Sequence, residues 1–310
     1  MNRIFLVCLI SALAVSGCAT KKMTADAAVE RYRPSGGRKL VTSQGKVVEK
    51  GPDKAEDLER LGDVHLQQGD VTAAFVNYTK ALQLEPNRQS ALYKTGRLFL
   101  LKGMTNEARG EFEEILKKDP KNAQAQEGMG RAYLLDGDSN KAIEYLTNAL
   151  NRNDRLWEAH SLIGIAYDRR KEYYKAIEHY KTAILIKPDA ASVYNNLGVS
   201  YYMNGEYEKA AEAFVTAIEK NEAGSKVYNN LGLTLGMLGN YSGAYEAFRK
   251  AGNGATAKNN MGYLYLRDGK NKEAVQAFEK AIELNPAFYS KAHDNLDAAR
   301  EAVKEQEGRP

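Results

Sequence analysis

The chain has 310 residues, 43% of them hydrophobic and 27% charged, with a formal net charge of +4. That balance is ordinary for a helical protein in water, is too weakly basic for a nucleic-acid binder, and leaves no internal apolar run of membrane-spanning length. Both cysteines, Cys8 and Cys18, fall in the opening segment, which removes disulfide frameworks and thiolate metal sites from the rest of the chain.

Met1–Gly17 carries one charged side chain, Arg3, ahead of the apolar stretch Ile4–Val15. A basic start and a short apolar core predict an export signal, too short to be read as a spanning helix. Next comes Val15-Ser16-Gly17-Cys18: an aliphatic residue, two small residues, then cysteine. This resembles the lipobox of bacterial lipoproteins; the plainer alternative is a secretory signal with a chance cysteine. The resemblance implies cleavage before Cys18, a thioether-linked diacylglycerol on its sulfur and usually an N-acyl chain. Two or more acyl chains anchor stably where one holds only marginally. Ala19, rather than aspartate, follows the cysteine, which in Gram-negative lipoproteins implies the outer membrane.

Residues 18–54 read as a lipidated cysteine and a flexible basic tether. Ala19–Lys54 holds nine Lys or Arg against four Asp or Glu, and includes Pro34-Ser35-Gly36-Gly37 and Gly51-Pro52. A solvated linker explains this composition, with attraction to anionic lipid or wall polymer as the other reading. Its root-mean-square span is roughly 30–35 Å.

From residue 55 the chain repeats. Gly62, Gly96, Gly130, Gly164, Gly198 and Gly232 are spaced by 34 residues, and Gly262 follows after 30. Each is the eighth residue of a repeat, giving 55–88, 89–122, 123–156, 157–190, 191–224, 225–254 and 255–288. Twelve residues after each glycine stands an alanine, from Ala74 to Ala274, which predicts a close Gly–Ala approach of two antiparallel helices. Sixteen after it comes a large residue (Tyr78, Phe112, Leu146, Tyr180, Phe214, Phe248 or Phe278) that would fill the space between one helix pair and the next. A second glycine, as in Gly69 or Gly205, ends the first helix of most repeats. Lys171 replaces it in the fourth, which predicts a strained or altered turn. Pro86, Pro120, Pro188 and Pro286 stop second helices; Asp154 and Glu222 are weaker stops. Residues 289–304 keep helical spacing through Ala292, Leu296, Ala299 and Val303 and would cap the array, with 305–310 a disordered tail.

The period and these signature positions resemble the tetratricopeptide repeat (TPR) family across 55–288. The resemblance implies an all-α fold: a right-handed TPR solenoid of seven helix-turn-helix repeats with a C-terminal capping helix.

Nothing points to catalysis. His65, His160, His179 and His293 show no metal-ligand spacing, so structural use is expected. Gly252-Asn253-Gly254 lacks the Gly-Lys-Ser/Thr of a phosphate loop and reads as the shortened turn of the sixth repeat; no nucleophile elbow or His-Glu-x-x-His is present. No catalytic residue, cofactor, metal or small-molecule substrate is assigned.

The family resemblance places the concave surface on the first helices of the repeats. There the chain carries Asn195-Asn196, Asn229-Asn230 and Asn259-Asn260 just before three ladder glycines. Side-chain amides can pair with a peptide backbone without reading its side chains, and the row is similar to the asparagine ladder of glycosyltransferase-associated repeats. The alternative is that these amides bond neighbouring helices. Val199, Tyr202, Met203, Leu233, Met237, Tyr263 and Leu266 would add an apolar, adaptable lining. In the N-terminal half, Glu56, Glu59, Asp63, Arg97, Glu127, Arg131, Asp168 and Arg169 read as solvated charges. Glu59 and Asp63 stand where a carboxylate clamp for chaperone tails needs Lys and Asn, so that partner class is not expected.

An exported lipoprotein built of such repeats resembles two groups, the TadD-like lipoproteins of tight-adherence (Flp) pilus assembly and the type IV pilus pilotins. The compact stretch Ala247–Ala255 and the Phe288-Tyr289-Ser290-Lys291-Ala292 cap are similar to the first. The resemblance implies a protein partner, a secretin or pilus assembly subunit, with membrane attachment through acylated Cys18. The alternative is an envelope scaffold that recruits peptidoglycan hydrolases or proteases.

Overall fold

A computed structural model of the protein describes residues 40–41, 47–48, 54–221, 223–285 and 289–308. The signal, Cys18, most of the tether, and the stops at Glu222 and Pro286 lie outside the described residues. The chain divides into two compact units, Met1–Ala91 and Leu92–Pro310.

In the first unit, β1 (Leu40–Val41) pairs antiparallel with β2 (Val47–Val48), Leu40 opposite Val48. This ribbon, built from β-favouring residues, is an addition to what the sequence led us to expect of the tether. The first repeat follows as α1 (Ala55–Gln67) and α2 (Val71–Leu84), and α3 (Gln89–Leu101) crosses the boundary between units. The second unit continues with α4 (Thr105–Lys118), α5 (Ala123–Leu135), α6 (Ser139–Arg152), α7 (Trp157–Arg169), α8 (Tyr173–Ile186), α9 (Ala191–Met203) and α10 (Tyr207–Glu219). It ends with α11 (Ser225–Met237), α12 (Tyr241–Ala251), α13 (Gly254–Arg267), α14 (Asn271–Leu284) and α15 (Tyr289–Glu307).

Local chemistry sets the ends of these helices. Asp70, Asn122, Asp138, Asn240 and Asn253 each cap a helix by accepting from a backbone N–H three residues on. α2, α4 and α8 stop two residues before Pro86, Pro120 and Pro188. The six turn glycines between paired helices all have positive φ, from 70° to 88°. Lys171 takes the same left-handed conformation at φ 60°, and a Cβ there carries strain. At the sixth repeat α12 has 11 residues where α14 has 14. Gly252 then leads straight into Asn253, the cap of α13, so one turn of helix is lost at this step.

Packing corrects the expected role of the ladder glycines. The alanines twelve residues on are fully buried, but the large residue sixteen on occupies the space over the glycine of its own repeat. A Cβ on Gly96 would stand 2.6 Å from the Phe112 ring, and one on Gly262 would stand 2.5 Å from that of Phe278. A flat ring on a bare backbone segment, rather than a Gly–Ala approach, joins the two helices of a repeat. In the third repeat the occupant is Leu146, and there the Ala142 carbonyl also comes close to Gly130.

Within the second unit, second helices pack on the next first helix, as Ala142 and Leu146 do on Ala159, Ile163 and Ala166. At the C-terminus α15 buries Leu296 and Ala299 against Ala274 and Phe278. Residues 305–307, expected in a disordered tail, belong to this helix. They extend its contact with α14: Asn271 donates to the Ala302 carbonyl and to Gln306.

Candidate protein-binding groove

The first helices α9, α11 and α13 present the paired asparagines, half-buried except for buried Asn259. Asn230 donates to Asn195 Oδ1 at 3.4 Å and Asn260 to Asn229 Oδ1 at 3.2 Å. The second asparagine of one repeat thus reaches back to the first asparagine of the repeat before. Asn295 on α15 continues the pattern, donating to Asn259 Oδ1 at 3.2 Å. Asn195 also donates to Asn196 at 3.4 Å. The amides therefore bond neighbouring helices, the second of the two readings open at the level of sequence. Each keeps donor or acceptor capacity beyond that bond, because an amide offers two donors and a carbonyl oxygen. Asn295 was missed because the cap lacks the ladder glycine, although Asn295-Leu296 matches Asn260-Met261 and was a usable signal.

Around this row lie the aromatic and sulfur side chains. Tyr202 packs edge-on against Tyr207 at 5.5 Å. Met203 and Tyr263 are each 40% exposed. Tyr263 stands edge-on to Phe278 and donates to Asn295 Oδ1 at 2.9 Å, so its ring is held in place. Met237 is covered by Arg267, whose guanidinium reaches Met237 Sδ and the Gly236 carbonyl while pairing with Asp268. Val199, Leu233 and Leu266, expected in the lining, are partly buried against the core. Leu101 and Leu135 occupy the repeat position of Met203 and Met237 and are 69% and 46% exposed. Reading along that one position would have found them.

Several of the charges expected to be solvated are instead structural. Glu59 is buried and pairs with Arg88 and Ser90. Asp63 accepts from Tyr78 at 2.8 Å. Glu127 is buried beside Arg131. Arg169 donates to the Leu134 carbonyl at the end of α5, the role that Arg267 plays at Gly236. Asp168 accepts from Tyr180 at 2.8 Å and from Ser200 at 2.7 Å. Burial pushes its carboxyl up to about 6, with the two hydroxyl bonds acting the other way. The signal for both aspartates was tyrosine at a position that is Phe or Leu in other repeats, since a buried phenol needs an acceptor. Arg97 is exposed, beside the Tyr93 ring, as expected of a groove charge.

Two histidines that sequence spacing kept apart meet in the fourth repeat. His160 Nδ1 lies 3.1 Å from His179 Nδ1, and His160 Nε2 lies 3.3 Å from the Asp154 carbonyl. The consistent tautomers have His160 donating from Nε2 and accepting at Nδ1 from His179. Burial, and then the charge of His160, push His179 down to about 4. Among the described residues no group of three or more His, Cys, Asp or Glu side chains could hold a metal, and no helix is long and apolar enough to cross a membrane.

Paired helices in register, joined by left-handed turns and a ring-on-glycine contact, define a protein-interaction repeat scaffold. Family models described as tetratricopeptide repeat match residues 65–132, 99–163, 191–223, 225–251 and 255–288, and a TPR repeat model matches 169–205. The chain is a tetratricopeptide repeat protein. No curated protein sequence matches it. Among solved structures it is similar to PilW, a widely conserved type IV pilus biogenesis factor, with TM-score 0.58 and 17% identity over 62% of this chain and 90% of that one. PilF of Pseudomonas aeruginosa gives TM-score 0.55 and 20% identity over 68% and 96% of the two chains. A thermophilic TPR protein of Thermus thermophilus gives 0.52 and 22% over 58% and 98%. At these identities the likeness is one of fold.

Proposed function

We propose that the protein is a lipid-anchored, non-enzymatic scaffold on the periplasmic face of a bacterial outer membrane. It assists assembly or localisation of a secretin or pilus complex of the Flp/Tad or type IV kind. Cys18, acylated, supplies the membrane attachment, and α9, α11 and α13 hold an extended segment of the partner. The observation that carries this reading is the row formed by Tyr202, Met203 and Tyr263, partly exposed beside asparagine amides with spare hydrogen-bonding capacity. Aromatic and methionine side chains give contact area at low ordering cost, and the amides can meet a backbone. Supporting the pilus assignment are the shortened sixth repeat and the use of the same fold by PilW and PilF.

The test is photo-crosslinking in cells from positions 202 and 263, followed by identification of the captured protein. Capture of a secretin or pilus subunit is expected, together with fewer secretin multimers or surface pili when the gene is deleted. Unchanged multimers and pili would sink the pilus role. Capture of wall hydrolases instead would transfer the scaffold to that process.

A further inference from the structure

The first repeat has an apolar face that the other repeats do not expose. Leu61 and Val64 stand at the seventh and tenth positions of the repeat, one helical turn apart on α1, and are 37% and 46% exposed. In the third to seventh repeats the residues at these positions are at most 9% exposed. What covers them there is the second helix of the preceding repeat: Ala244 and Phe248 lie on Met261 and Leu264, for example. The first repeat has no predecessor, yet its residues at both positions are a leucine and a valine. Repeat arrays need a polar outer face at each end, and α15 provides one at the C-terminus with an exposed, charged outer side. An open apolar face at the other end calls for a cover.

We propose that the β1–β2 ribbon of the same chain folds onto the Leu61–Val64 face of α1 and serves as the N-terminal cap of the first repeat. Three observations select this occupant. The ribbon consists of Leu40, Val41, Val47 and Val48, four apolar residues in antiparallel register. A two-stranded ribbon alone is marginal in water and needs a surface to pack on. Only residues 49–54 separate it from α1, a reach of about 20 Å, which matches the length of roughly 20 Å of a 13-residue helix. So short a tether holds the ribbon at an effective concentration on the order of millimolar, above what a second copy would reach in dilute solution.

The test uses the full chain with Cys8→Ser and Cys18→Ser, so that an introduced thiol stands alone. With Val64→Cys, maleimide labelling should be about tenfold faster once Val47→Ser and Val48→Ser are added, because the thiol loses its cover. Circular dichroism of each variant checks that the helices remain. Val41 and Val48 lie on opposite faces of the ribbon, so Val64→Cys combined with one of Val41→Cys or Val48→Cys, and not with the other, should oxidise to a disulfide within one chain, at a rate independent of protein concentration. Equal labelling rates with and without the ribbon substitutions would overturn the proposal. So would cross-links that form only between chains, which would assign the face to a second copy.

Discussion

Gly198 and Phe214 share one space: a Cβ on Gly198 would stand 2.7 Å from Cε1 of the Phe214 ring. The ring is buried, and the glycine belongs to the other helix of the same repeat. Gly198→Ala should therefore destabilise the protein by about 1–3 kcal/mol, the range for overpacking a filled core. Phe214→Ala should cost about 3–5 kcal/mol. In Gly198→Ala with Phe214→Ala the two losses should be clearly less than additive, because the added methyl then enters the space left by the ring. Urea unfolding of the three variants reads the coupling; strict additivity would mean the two residues do not interact.

Lys171 holds a left-handed turn that glycine holds in the other repeats. Lys171→Gly should raise stability by about 0.5–1 kcal/mol, the relief of Cβ strain less the greater freedom of unfolded glycine. The reverse change in a sister turn, Gly205→Lys, should lower it. Thermal unfolding of both checks the pair of signs.

Asp168 has its carboxyl pushed up to about 6 by burial, above its unfolded value near 4. The folded protein therefore binds this proton more tightly, and the contribution is fully present below pH ~4 and lost as pH rises through ~6. Asp168→Asn can still bond Tyr180 and Ser200, so at pH 7 it should be more stable than the parent by about 1–3 kcal/mol. The gap should close near pH 4. A variant less stable than the parent at pH 7 would show that the ionised form is held favourably.

His179 behaves with the opposite sign. Its folded value is pushed down to about 4, so the stability it contributes is present above the ordinary histidine range near 6.5 and is lost as pH falls toward 4. A proton NMR titration should show the His179 ring unprotonated until about that pH, with His160 also below the ordinary value. A His179 resonance that titrates near 6.5 would contradict the half-buried His–His contact.

Asn230 and Asn260 each donate to the preceding repeat. Replacing either with Ala should cost about 0.5–1.5 kcal/mol, the net value of one hydrogen bond. Stability unchanged in chemical denaturation would return these amides to solvent. Loss of partner capture in the same variants must be compared with Tyr202→Ala, which removes neither of these asparagine bonds.

The repeat was legible because its constraints are local and recur. Gly62 through Gly262, the alanines that follow them and the prolines between them announce the period directly, since each residue type answers a steric need within one helix pair. The groove was less legible. Tyr202 and Tyr263 could be placed on a first helix by counting, but whether Asn229 faced a ligand or Asn260 depended on the distance between adjacent helices. Asp168 was misread for the same reason: its charge is visible in sequence, while Tyr180 and Ser200 lie in a different helix and in the next repeat.

The sequence by itself determined that this is a helical repeat protein and that its sixth repeat is short. Local backbone preference and the spacing of small and large residues suffice for that. Only the tertiary structure decided that the ladder glycines receive the large side chain of their own repeat, a ring in all but the third, rather than an alanine, that the asparagines lock one repeat to the next, that His160 meets His179, and that Leu61 and Val64 lack the cover their counterparts have. These depend on which side chains from different helices come within a few ångströms, and a linear pattern does not carry that distance.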